Sequence, residues 1–99
     1  MNHTRGEVGF AIEGEPFRLC LTLGALAEIE SGLGLASLAD LETRLQAPTV
    51  ADLAIVLAAL LRGGGHDMAD ESLRLRQVDL TAAAHAIADA FAAAGLGAQ

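Results

Sequence analysis

The stretch LAIVLAALLRGGGH, residues 53–66, decides how the rest of the chain is read. Residues 53–61 carry no polar side chain. Leu53, Val56, Leu57, Leu60 and Leu61 fall at i, i+3, i+4, i+7 and i+8, the spacing of one face of an α-helix. Ala54, Ile55, Ala58 and Ala59 fill the other faces, and a helix apolar all round has to be covered on most sides. Three glycines follow. A phosphate-gripping loop leads from a strand into a helix N-terminus, where free N–H groups point at the anion. Here the glycines come after the helix, at the negative end of its dipole, and no Gly-Lys-Ser/Thr is present. They read as a helix stop, with Gly63 as the C-cap.

Upstream, Thr49 and Asp52 have the spacing of a capping box, so this helix runs from about 50 to Arg62. Ser37 and Asp40 repeat that signal before a stripe of Leu38, Leu41 and Leu45, with Asp40 and Arg44 placed for an i,i+4 ion pair. Pro48 closes this helix. An earlier helix starts after Thr22, carries Leu23, Leu26, Ile29 and Leu33 on one face, and stops at Gly32 and Gly34. Downstream, Asp70 can cap a short helix. Asp79 can cap a last one from Leu80 to about Ala94, with Leu80, Ala84, Ile87 and Phe91 as its bulky stripe and Thr81, His85 and Asp89 as its polar one.

Ahead of all the helices, EVGFAIEGEPFRLCLT alternates instead. Val8, Phe10 and Ile12, then Phe17, Leu19 and Leu21, share one face of a hairpin spanning about 7–21. Folding about Gly14-Glu15, or through a looser loop from Glu13 to Pro16 because Pro16 has no N–H to close a tight turn, sets Ile12 opposite Phe17, Phe10 opposite Leu19 and Val8 opposite Leu21. The expected fold is α+β and predominantly helical: an N-terminal β-hairpin, then four main α-helices and one short helix, in a single domain over 1–99. The hairpin is expected to pack on the first and third helices, and residues 1–5 and 96–99 to fray.

Composition narrows the function. The net charge is −7, and all six cations are arginines with no basic cluster, which argues against nucleic acid. The chain opens without the apolar segment of a signal peptide. Its longest apolar run, 53–61, is far short of the ~20 residues a bilayer requires. A cytoplasmic protein without a membrane span is expected. Cys20 is the only cysteine and sits in the apolar run FRLCLTL, the setting of a packed thiol rather than a nucleophile.

Three polar features invite chemistry. His66-Asp67 lacks the further ligands and the HxxxH or HExxH spacing of a metal site, and reads as a loop pair. His85 and Asp89 could orient an imidazole, but no nucleophile is placed beside them. The run DESL resembles the Asp-Ser-Leu signature at which acyl carrier proteins hold phosphopantetheine, with Glu71 intruding. On that alternative the chain is a small acidic carrier domain using Ser72. Otherwise Ser72 is a solvated helical residue, and no catalytic residue, cofactor or metal is expected.

FRLCLTLGALAEIESGLG (17–34) and LLRGGGHDMADESL (61–74) together resemble the small tail assembly chaperones of phages and gene transfer agents. In that family an extended N-terminal segment enters a Leu-Gly-Ala-Leu-rich helix, and a later helix ends in Arg-Gly-Gly-Gly-His before an acidic pair. The likeness touches most of residues 5–94. It implies a non-enzymatic protein of the bacterial cytoplasm that binds the tape-measure protein, or another tail component, during tail assembly. A structural tail subunit is the alternative within the same system. The apolar surplus of the 53–61 helix suggests that a partner covers part of it, by an amphipathic helix laid in a groove. Leu57, Leu60, Leu61, Ile87 and Phe91 are the candidate partner-binding residues, although each also has the spacing of ordinary core. Self-pairing into a homo-oligomer would cover the same surface.

Overall fold

A computed structural model describes residues 7–95; the ends expected to fray lie outside the described residues. Strands β1 (Glu7–Ile12) and β2 (Glu15–Cys20) form an antiparallel hairpin. Its turn is Glu13-Gly14, one residue earlier than expected, with φ of 54° and 82°. Positive φ at both central residues gives the turn whose twist matches the strands. Phe10 therefore faces Phe17 and Val8 faces Leu19, two residues away from the expected register. A two-residue slip leaves every side chain on its own face, so alternation alone does not distinguish the registers. Pro16 explains the choice. The pair flanking a two-residue turn exchanges both hydrogen bonds and the next pair exchanges none, so Pro16 opposite Ala11 is not asked for an N–H.

Five helices follow: α1 (Leu23–Leu33), α2 (Leu38–Gln46), α3 (Val50–Gly63), the short α4 (Asp70–Arg74) and α5 (Leu80–Ala93). The fold is α+β and mostly helical. Three starts are capped as their residues suggest. Thr22 Oγ1 accepts from Ala25 N–H, Asp79 from Ala82 N–H, and Thr49 with Asp52 makes a reciprocal capping box. Two are not. Ser37 makes no side-chain cap, and Asp40 instead accepts from Ala36 N–H; Asp70 is the first residue of α4, behind an uncapped Ala69.

The expected Asp40–Arg44 pair is also replaced. Arg44 reaches Asp52, Nε to Oδ2 at 3.1 Å and Nη2 to Oδ1 at 3.2 Å, and donates to Leu33 O. A two-pronged bond to a carboxylate that is only 5% exposed outweighs a solvated pair along one helix, worth about 0.3–0.5 kcal/mol.

α3 is the centre of the molecule. Residues 56–61 are all at most 2% exposed. α1 lies along one side of α3 and β2 along another, while β1 packs on α5. The hairpin thus rests on α3, as expected, and on α5 in place of α1, with β2 lying against α3 and β1 against α5. This corrects the premise of the apolar surplus: the chain wraps the second half of α3 with its own elements.

Glycines make that wrapping close enough. A Cβ on Gly63 would lie 2.1 Å from Cys20 O, and one on Gly64 2.1 Å from Arg18 O, so α3 ends pressed against the backbone of β2. Gly63 belongs to the helix rather than capping it. The left-handed residue is Gly65 (φ 95°), closed by His66 N–H to Leu61 O and Gly65 N–H to Arg62 O, the paired bonds of a Schellman stop. Gly32 likewise does not stop α1. It sits in the helix with Ile55 close above it, 2.8 Å from where a Cβ would be, and Gly34 (φ 69°) makes the stop. Leu23 points out, 84% exposed, and Ala25 takes its place inside with Ile29 and Leu33.

Candidate partner groove

α2 is the least embedded of the long helices. Leu41 is its one buried residue, Leu45 is half-buried and Leu38 is 47% exposed. Its tether is Arg44, bound to Asp52 and Leu33 O. Between α2 and α5 this leaves an open apolar groove of about 760 Å³. Leu38, Leu41 and Leu45 line it from α2, and Leu53 reaches it from α3. On α5, Ile87 and Phe91 line it as nearly buried residues, with Ala84, Ala88 and Ala92 exposed along the same wall. Ala at i, i+4 and i+8 stacks on one face and keeps that wall low.

The polar residues of the groove are Glu42 and Gln46 from α2 and Asp89 from α5. Among the described residues no arginine lines it, and neither Glu42 nor Asp89 is paired with a cation. Four of the five described arginines are engaged elsewhere: Arg18 with Gly64 O, Arg44 with Asp52, Arg62 with Glu28 and Met68 O, and Arg76 with Glu13 and Glu15, while Arg74 is exposed on α4, away from the groove lining. Arg76 also lies over the Phe17 ring, 5.9 Å from its centre. It holds the Glu13 carboxyl below the usual range, helped by Gln77 N–H, although Glu13 sits at a φ that suits Gly or Asn better.

Of the five candidate residues, Ile87 and Phe91 meet at this groove. Leu57, Leu60 and Leu61 are 2%, 0% and 0% exposed and form the core beneath the hairpin and α1. The groove's α2 wall was visible in sequence only as a leucine stripe. Its acidic rim had no signal, because it depends on how two separate helices face one another.

The polar features fall elsewhere. His66 Nε2 accepts a hydrogen bond from Arg18 N–H at 3.0 Å, and its ring meets Phe17 edge-on at 5.0 Å. It satisfies an outward N–H of the β2 edge, that of Arg18, which spends the lone pair of Nε2. Cys20 is buried, and burial together with the Glu7 carboxylate pushes its thiol up, away from the reactive thiolate. His85 and Asp89 are exposed, with no hydrogen bond between them. Ser72 is exposed on α4 and does not line the groove. Among the described residues no group of three or more His, Cys, Asp or Glu is placed to hold a metal ion, and no helix is long and apolar enough to cross a membrane.

Fold and groove together define a small, mostly helical α+β protein with an open interhelical cleft. The sequence model of a family described as phage tail tube protein, GTA-gp10, matches residues 5–97. With nearly the whole length matched, the chain belongs to that family of phage and gene-transfer-agent tail proteins. No curated protein and no solved structure is significantly similar to it.

Proposed function

We propose that the chain is a non-enzymatic tail assembly chaperone that binds the tape-measure protein in the bacterial cytoplasm while the tail is built. The observation that carries this reading is the open apolar groove between α2 and α5, set in a chain of the tail family. Grooves between helices, lined by aliphatic and small side chains, accept the apolar stripe of another helix. A long helical tail component has such stripes to protect until tube subunits enclose it. Co-expression with the tape-measure protein is the test: the chaperone should raise the soluble fraction of the long chain several-fold. Equal solubility with and without it sinks the reading.

A structural subunit retained in the tail is the second reading, favoured by the family's own description as a tail tube protein. Purified particles separate the two. Stoichiometric amounts of this chain in them support the subunit, and its absence supports the assistant.

A further inference from the structure

We propose that the α2–α5 groove takes an amphipathic helix whose flanks carry arginine or lysine, the cations meeting Glu42 and Asp89 while its apolar stripe lies along the alanine wall of α5. This deepens the chaperone reading by naming the chemistry of the segment held. Three observations carry it. The two walls of the groove are helices, and α5 presents Ala84, Ala88 and Ala92 as exposed small residues next to Ile87 and Phe91, so another helix can come close. α5 has 14 residues, a wall of about 21 Å, which matches roughly four turns of a guest. Each wall also sets one carboxylate at the rim, Glu42 on α2 and Asp89 on α5, with no cation beside either among the described residues.

Charge then selects the occupant. A guest with acidic flanks would place like charges together at both walls. A second copy of this chain brings a net charge of −7 to a surface of the same sign. Arg18, Arg44, Arg62 and Arg76 are committed to internal partners, and Arg74, the one described arginine without a partner, sits on the five-residue α4 rather than flanking a long apolar stripe. A basic amphipathic helix meets neither obstacle. The rim carboxylates set preference and the rate of encounter, and the apolar lining supplies the bulk of the affinity.

Three helical peptides of about 18 residues, long enough to hold a helix, share one Leu/Ala stripe and differ only at four flanking positions, as Arg, Gln or Glu. They are titrated into the full chain, followed by NMR and by sedimentation. The Arg peptide should bind roughly tenfold tighter than the Gln peptide at low salt, with the Glu peptide weakest. Shifts should centre on Ala88, Ala92 and Leu45. The double variant Glu42→Gln/Asp89→Asn, two exposed positions, should lose the preference for Arg over Gln. The proposal is overturned if the ranking survives in the double variant, if no peptide binds, if shifts map outside the groove, or if the free chain sediments as a dimer with the groove occluded. The two readings fail separately. Peptide binding as described, with no gain in tape-measure solubility, removes the chaperone and keeps the groove's chemistry. A solubility gain without the charge preference does the reverse.

Discussion

The two ends of α3 are built on opposite terms. At its C-terminal end, Gly63 and Gly64 bring the helix so close to β2 that even a methyl would overlap the carbonyl oxygens of Cys20 and Arg18. His66 then accepts from an outward N–H of the strand, that of Arg18. At its N-terminal end, Val50 is 64% exposed, Leu53 opens onto the groove, and α2 hangs beside it on one buried leucine and one arginine. One helix therefore serves as core in its second half and as the back of an open cleft in its first. The same apolar composition runs through both halves. What separates them is how far neighbours cover the helix: at the sealed end Gly63 and Gly64 let the β2 backbone lie against it, and at the other α2 leaves a gap.

The hardest way to break the comparison is at the sealed end. Gly63→Ala and Gly64→Ala each insert a Cβ against backbone atoms that cannot rotate away, so α3 and β2 must part. Each should cost about 3 kcal/mol or more, read by chemical denaturation. A loss below about 1 kcal/mol for both would show that the junction is looser than these contacts require.

The open end fails more gently. Asp52→Ala removes the capping-box carboxylate and the anchor of Arg44 together, leaving Arg44 free to find solvent at 42% exposure. The expected loss is about 1–2 kcal/mol, the usual range for a lost cap. Amide exchange should quicken in α2 more than in the second half of α3, since the tether goes and the glycine contacts stay. The Asp52 carboxyl is held below its ordinary value, first by Thr49 N–H and then by Arg44, against the opposing effect of burial. A lowered folded pKa means that its stabilisation is complete above the unfolded carboxyl value, about 3.9, and fades as pH falls through the folded one. Wild type should lose stability below about pH 4 more steeply than Asp52→Ala does. Parallel pH profiles would remove Asp52 from the acid response.

These contrasts mark how far the sequence could be followed. Helix α3, its capping box and the face of the hairpin were readable, because periods of 3.6 and 2 and the Thr49–Asp52 spacing are local. The hairpin register was not, since a two-residue slip preserves the same alternation. Gly63 and Gly64 were legible as the end of a helix but not as a contact surface, a role that exists only once β2 lies against them. The same holds for Leu57, Leu60 and Leu61. Periodicity marks an apolar face without saying whether the chain or a partner covers it, and here the chain does. Ile87 and Phe91 came into view as a stripe, and Leu38, Leu41 and Leu45 as another. That the two stripes face each other across a gap follows from α2 being held by little else.

A glycine without a neighbour supplies the control for the sealed end. Gly9 sits in β1 with no atom within 4 Å of where its Cβ would be, and its φ lies outside the left-handed range. It forgoes the strand preference of a β-branched residue for no packing gain. Gly9→Thr should therefore raise stability by about 0.5–1 kcal/mol, the opposite sign to Gly63→Ala. A loss of similar size in chemical denaturation would mean that the outer side of β1 is occupied after all.

The smallest effect on stability belongs to the groove itself. Leu38 opens α2, is 47% exposed and lines the cleft without being held by it. Gln has nearly the helix propensity of Leu, so Leu38→Gln should leave the unfolding free energy within about 0.5 kcal/mol of wild type. Yet it takes an aliphatic side chain from a guest's path, and affinity for the Arg-flanked helix should drop several-fold. A residue that the fold does not need and the guest does is what an open cleft predicts. If Leu38→Gln instead unfolds α2 and leaves peptide affinity alone, Leu38 is part of α2's own packing and the groove is a gap in the core rather than a seat.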